Sequence, residues 1–326
     1  MERNRETIQI TMKILITGVH GFVGSNLVKA LSKDNVIYGL DIISPLKDGI
    51  KFTFGWNNLD DGQIPDVDAI IHLAGKAHDT KNQAAADVYF KVNRDLTIKI
   101  FDYFCAHPNI KKFVFFSTAK AAADKVAGLL TEDVIPSPVG PYGESKIAAE
   151  QYILNTMQAR PDEFKDRGVY IFRPCMIHGP GNKGNLNLLY NVVKKGIPWP
   201  LGAFENRRTF TSVDNICFAV NGVLTKEVES GIYNMGDDEA LSTNELIEEI
   251  CMSIGKKAHI WKLPKNLMNG VAKIGGWLHL PLNPERLQKL TENYVSSNAK
   301  IKKALGVEKM PVDARTGLKV TLESFK

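Results

Sequence analysis

The sequence predicts an α/β chain in which a doubly wound parallel sheet comes first and a smaller C-terminal lobe follows. Three observations carry that expectation. A glycine-rich turn stands directly behind the first apolar run, short β-branched runs alternate with stretches of helical period up to about residue 175, and glycine and proline become denser beyond it.

Lys13-Ile14-Leu15-Ile16 reads as the first strand. Thr17-Gly18-Val19-His20-Gly21-Phe22-Val23-Gly24 follows it, and then Ser25 to Leu31 at helical period. Glycines at this spacing let the backbone turn through positive φ and approach an anion closely, while the helix N-terminus offers free N–H groups, so the turn predicts a Rossmann-type site for a dinucleotide pyrophosphate. Within it, His20 is expected as a solvent-facing spacer. Val36 to Leu40 is the second strand and ends at Asp41, 23 residues beyond Gly18. A carboxylate there accepts both ribose hydroxyls of the adenosine half and repels a 2′-phosphate, so NAD is expected over NADP.

Asp68-Ala69-Ile70-Ile71-His72-Leu73-Ala74-Gly75 is a buried strand closing on small residues that admit a ligand, and residues 83–106 have helical spacing. Lys112 to Phe116 is a further strand, ending in Ser117-Thr118 on the carboxyl edge where ligands collect. Pro141 opens a helix on which Tyr142 and Lys146, at i and i+4, share one face. Val169 to Pro174 is another strand. Val213 to Ile216 reads as a helix start, Ile232 to Met235 as a short strand, and His178 as a packing residue. The expected division is a first domain over 12–175, to which 207–235 returns, and a smaller lobe made of 176–206 and 236–326.

With 326 residues, 44% of them hydrophobic, the chain can build a large core. The 41 basic and 36 acidic residues leave a formal charge of +5, which by itself implies neither a nucleic-acid nor a membrane partner. Cys105, Cys175, Cys217 and Cys251 stand far apart without metal-ligand spacing, so reduced thiols, a cytoplasmic location and no metal are expected. Residues 1–6 lack the apolar core of a signal peptide. Leu267 to Leu282 is too interrupted to span a bilayer and predicts a buried or amphipathic helix.

Taken together and in order, TGVHGFVG, Asp41, DAIIHLAG, Val92-Asn93, FFST, YGESK, RPCMIHGPG and RRTFTSVDNI resemble the NAD-dependent epimerase/dehydratase family of the extended short-chain dehydrogenase/reductases. The nearest branches in pattern are UDP-sugar 4-epimerases and bacterial 4-keto reductases of UDP-acetamido sugars. The resemblance implies NAD as cofactor, a UDP-linked nucleotide sugar as substrate and a homodimer formed through two sheet-flanking helices. It implies Tyr142 as the catalytic base, Lys146 as its partner and Thr118 as the hydroxyl bonded to the reacting sugar oxygen. Gly18, Gly21, Phe22, Val23, Gly24, Asp41, Asn58, Leu59, Leu73, Ala74, Gly75 and Asn93, with Tyr142 and Lys146, are implied to contact NAD. His78, Asn185, Arg208 and Arg286, with Thr118, are implied to contact the substrate.

Two departures from the family pattern stand out. Asn58 occupies the place of an acidic residue near the adenine, so amide recognition is expected, and Lys120-Ala121-Ala122-Ala123 replaces a glycine-containing turn. A 4,6-dehydratase would carry an Asp-Glu pair directly after the threonine. Ala119-Lys120 follow Thr118 here, which disfavours dehydration. Two expectations stay open, a 4-epimerase working through a transient 4-keto sugar and a 4-keto reductase serving surface-polysaccharide synthesis. A non-catalytic dinucleotide sensor is disfavoured because Thr118, Tyr142 and Lys146 are all retained.

Overall fold

The computed structural model describes residues 11–77, 85–182, 184–278 and 282–326. Seven strands, β1 (Lys13–Thr17), β2 (Val36–Leu40), β3 (Phe52–Phe54), β4 (Ala69–His72), β5 (Lys112–Phe116), β6 (Gly168–Pro174) and β7 (Gly231–Met235), form one sheet in the order β7-β6-β5-β4-β1-β2-β3. The pairings from β3 through β6 are parallel. All four residues of β4 and the last four of β1 and β5 are buried. That is why these strands read as unbroken apolar runs, since a parallel sheet is covered on both faces. The strand order reverses between β1 and β4, which places the ligand crevice of such a sheet at their carboxyl ends.

Helices α1 (Phe22–Leu31), α2 (Leu96–Ala106) and α3 (Pro141–Ala159) follow β1, β4 and β5 in the chain. Phe101 and Phe104 of α2 and Ala149 and Ile153 of α3 are fully buried in one cluster with Leu15, Ile70, Phe113 and Ile171 from the sheet. Burial of aromatic and branched side chains at about 1.5–3 kcal/mol each is what holds these helices down.

The chain divides into two compact units, Met1–Ser117 with Gly140–Phe172 and Val220–Ile232, and Thr118–Val139 with Arg173–Ala219 and Tyr233–Lys326. This division differs from the expected one in giving 118–139, 173–175, 207–219 and 233–235 to the second unit. Long-range pairing is the reason. Leu129–Leu130 pairs with Val295–Ser296, the Tyr294 hydroxyl donates to the Ala123 carbonyl at 2.8 Å, and Met176–His178 pairs with Phe210–Ser212. The second unit has its own core around Leu186, Tyr190, Phe210, Ile250, Leu318 and Leu322. His178 packs inside that unit, its ring hydrogen-bonded to Thr321 at 2.9 Å and to Asp237 at 3.3 Å.

Candidate active site

The glycine turn uses its three glycines for different reasons. Gly18 has φ of +67°, and a side chain on it would come within 2.9 Å of the Ala74 backbone nitrogen. Gly21 instead caps α1 at φ −70°, and Gly24 packs so tightly that a Cβ would lie 2.6 Å from the Gly18 carbonyl oxygen. Positive φ is therefore needed once, at Gly18, and close approach accounts for Gly24. Phe22, Val23 and Gly24 form the first turn of α1, whose N–H groups have no intrahelical acceptor.

Asp41 sits at the end of β2 with one carboxylate oxygen accepting from the His20 backbone N–H at 3.1 Å and the other from that of Ile42 at 2.7 Å. His20 is not the solvent-facing spacer its sequence position suggested. It is half-buried, with Nε2 3.1 Å from the Thr53 hydroxyl, because the turn folds back onto β2 and β3. Burial lowers its pKa, with Asp41 opposing. Asp41, Ile42, Phe52, Phe54, Asn58 and Gln63 line a cleft of about 450 Å³. The Asn58 side chain is fixed at that wall, accepting from the Gly55 N–H at 2.8 Å and donating to Gln63 at 2.6 Å. The Leu59 side chain behind it is buried in the sheet-helix core.

A buried polar relay fixes the segment after β4. Thr97 donates its only hydroxyl proton to the Asn93 carbonyl at 2.6 Å, so the His72 Nε2 facing Thr97 at 2.9 Å must carry a hydrogen and donate it. Nδ1 is then left to accept from the Thr17 hydroxyl at 2.7 Å, and Thr17 in turn accepts from the N–H groups of Leu73 and Ala74. His72 is thereby neutral, and burial holds its pKa well below the ordinary value of 6.5. The unfolded chain takes up this proton first, so the stability contributed by neutral His72 is present above about pH 6.5. It is lost at about 1.4 kcal/mol per pH unit below that. Urea titrations between pH 7.5 and 5.5 should show that slope, and His72→Leu should lack it. The variant should also lose about 2 kcal/mol or more at neutral pH, because the buried Thr17 hydroxyl proton would lose its acceptor and the Thr97 hydroxyl its donor.

Asn93 lies in a π-helical turn, Phe90–Asp95, inserted between Ala86–Tyr89 and α2. Such turns redirect one side chain inward and occur often at functional sites. The Asn93 amide grips both backbone groups of Lys76, at 2.7 and 3.1 Å, and donates to the Ser145 hydroxyl of α3 at 3.0 Å. A side chain on Gly75 would come within 3.0 Å of Asn93 Oδ1 and 3.1 Å of Lys146 Nζ. Smallness at Gly75 thus already serves protein packing.

Gly140, at φ +83°, and Pro141 in the first turn start α3. Lys146 is buried, donates to the Phe116 carbonyl at 2.7 Å and lies over the Phe115 ring at 4.9 Å. Burial lowers its pKa to about 8, against the opposing pull of Glu150 one turn further along α3. Tyr142 is half-buried, one turn before Lys146, with its ring edge-on to Tyr89. Glu150 is fully buried and accepts a very short hydrogen bond from the Ser117 hydroxyl. Sequence reasoning missed Glu150, Ser117 and His72. For Glu150 a signal existed, since it continues the i, i+4 stripe of Tyr142 and Lys146. Thr118, the next residue after Ser117, is buried and caps the short helix Ala119–Ala122, accepting from the Lys120 N–H at 3.3 Å.

Among the residues implied to contact substrate, Arg208 is half-buried and bridged through its backbone to Leu241 and Tyr294, with its guanidinium donating to the Lys289 carbonyl at 2.6 Å. Asn185 is exposed at the start of the helix Asn185–Lys194, and Arg286 is exposed in the first turn of the helix Pro284–Thr291. His78 lies outside the described residues.

A model of the NAD dependent epimerase/dehydratase family matches residues 14–236. The chain belongs to this family. A UDP-glucose 4-epimerase of Vibrio cholerae is 30% identical over 264 residues, covering 77% of this chain and 78% of that protein. The N-acetyl-α-D-glucosaminyl-diphospho-ditrans,octacis-undecaprenol 4-epimerase of Escherichia coli O157:H7 is 27% identical over 297 residues, covering 89% and 84%. In fold, the chain is similar to MoeE5 solved with UDP-glucose and NAD, at TM-score 0.74 and 22% identity over 96% of this chain and 98% of that one. It is also similar to a UDP-N-acetylglucosamine 4-epimerase of Bacillus cereus, at TM-score 0.72 and 22% identity over 97% and 98%. Members of this epimerase/dehydratase family are enzymes, and NAD is their cofactor. The residues present fit that cofactor. Gly18 forms a cradle closed to any side chain, the N-terminus of α1 is open to an anion, and Asp41 and Asn58 stand on the wall of a cleft.

Proposed function

We propose that this family member is a 4-epimerase of a UDP-linked hexose or N-acetylhexosamine, with Tyr142 as the base. The observation that carries the reading is the cation of Lys146, buried one helical turn from Tyr142 and anchored to the Phe116 carbonyl. A free tyrosine has a pKa near 10, so only about one in a thousand is ionised at pH 7. A cation about 6 Å away at an effective dielectric of about 20 contributes roughly 2.8 kcal/mol, or about two pKa units, toward the phenolate.

In this reading Tyr142 removes the proton from the sugar 4-hydroxyl, and Thr118, whose own hydroxyl proton is free to donate, orients the same oxygen. Bound NAD would supply a reversible hydride acceptor for the sugar carbon. Gly18, Gly21, Phe22, Val23 and Gly24 would hold the pyrophosphate, Asp41, Asn58 and Leu59 the adenosine end. Leu73, Ala74, Gly75 and Asn93 would line the remaining path. Arg208, Arg286, Asn185 and His78 would meet the nucleotide sugar, the guanidinium forks matching phosphate oxygens.

A 4-keto reductase remains the second reading, favoured by His78 after the HLAG run and by the GNKGN loop. Incubation with UDP-glucose, UDP-N-acetylglucosamine and their 4-keto forms, with and without NADH, separates the two. Epimerised sugar without net NADH use supports the epimerase, and stoichiometric NADH loss replaces it with the reductase. The lipid-linked substrate in the name of the Escherichia coli relative makes a polyprenyl-diphosphate sugar a useful third arm.

A further inference from the structure

Helix α4 (Lys265–Trp277) in the second unit carries two apolar stripes, and only one has a partner. Met268, Ala272 and Gly275 face inward, the first two packing with Leu201 and Leu287. Gly276 lets Pro284 approach, since a side chain there would come within 3.1 Å of the proline ring. These contacts set the rotation of the helix about its axis. The other stripe, Leu267, Val271, Ile274 and Leu278, is left outward with Trp277 beside it, and these five side chains are 43% to 81% exposed. Single exposed apolar residues are ordinary, but a continuous stripe at helical spacing marks an interaction surface.

The segment that carries the stripe is charged in one sense only, and the exposed Glu285 on the neighbouring helix is answered by Lys289. Residues 250–278 contain Lys256, Lys257, Lys262, Lys265 and Lys273 and no aspartate or glutamate. The remaining 36 basic residues of the chain equal its 36 acidic ones, so the net charge of +5 is the charge of this segment. Two of the lysines are held on the surface of the unit, Lys265 over the Phe204 ring and Lys256 on the Lys194 carbonyl. No helix among the described residues is long and apolar enough to cross a membrane.

We propose that the outer face of α4 docks on an anionic lipid bilayer, lying in the interface rather than spanning it. Leucine, valine, isoleucine and tryptophan would enter the headgroup boundary, and the lysines would meet anionic headgroups. A second copy of the chain fits less well. A two-fold contact would set the same lysines against one another, with no carboxylate in the segment to answer them. Each lysine near an anionic surface strengthens partitioning about fivefold, and salt weakens the effect.

The test is co-sedimentation of the full chain with vesicles of phosphatidylcholine alone and of phosphatidylcholine mixed with phosphatidylglycerol. Binding is expected to the mixed vesicles at low salt. Lys273→Glu should weaken it about tenfold or more, and Ile274→Asp should abolish it. NAD binding by both variants serves as the control for folding, because neither residue belongs to the cofactor site. Failure to bind mixed vesicles, or binding unchanged by Ile274→Asp, overturns the proposal. So does a dimer in analytical ultracentrifugation that dissociates in Ile274→Asp, which would assign the stripe to a second copy.

Discussion

Replacing Tyr142 by phenylalanine is expected to lower turnover about 10²–10⁴-fold, the span over which a positioned acid-base group contributes. The change removes one oxygen and keeps the ring, so the edge contact with Tyr89 survives and α3 keeps its packing. Lys146 is held by the Phe116 carbonyl. Its cation therefore stays in place in the variant. Cofactor binding, measured by titrating NAD against protein fluorescence, should accordingly be retained while product formation falls. Turnover equal to the parent's would remove Tyr142 as the base. A parallel loss of NAD binding would assign it to cofactor positioning instead.

Glu150→Gln is expected to act through Lys146 and to show itself in the pH profile. The buried carboxylate is the opposing influence that keeps the pKa of Lys146 as high as about 8. Taking its charge away leaves burial unopposed, and a unit charge about 6 Å off at a dielectric of about 20 corresponds to roughly two pKa units. The sign follows from the direction of the shift. Lys146 would lose its proton at lower pH, so the alkaline limb of kcat/KM should move down by about one to two units. Activity should approach the parent's only on the acid side. Glutamine keeps the shape and can still accept from Ser117, so the chain should fold, with circular dichroism as the check. A uniform loss of activity at every pH would mark a structural role alone.

Short-range features of the site were legible because they are written in backbone chemistry and helical period. The glycine turn is readable since Gly18 needs positive φ, and the Tyr142–Lys146 pair since i and i+4 share a helix face whatever surrounds them. Asp41 was legible from its distance to the turn. The π-turn that aims Asn93 at Lys76 was not, because residues 83–106 keep an ordinary helical pattern while the extra residue is accommodated by long-range contacts. The Thr17–His72–Thr97 relay was equally silent, since it joins residues 55 and 25 positions apart and each of them alone reads as a strand or helix residue. His20 followed the same rule, its ring finding Thr53 across 33 residues.

The sequence by itself determined a parallel α/β sheet, its glycine turn, the carboxylate at the end of β2 and the placement of Tyr142 and Lys146 on one helix face. Each of these is set by local dihedral demands and by the period of apolar residues. Tertiary structure alone decided that 118–139 joins the late chain and that Glu150 is buried against Ser117. It alone decided which stripe of α4 is covered. A periodic pattern states that a face is apolar. Only packing against a distant segment decides whether that face is filled, and in α4 one is filled and the other is left to solvent.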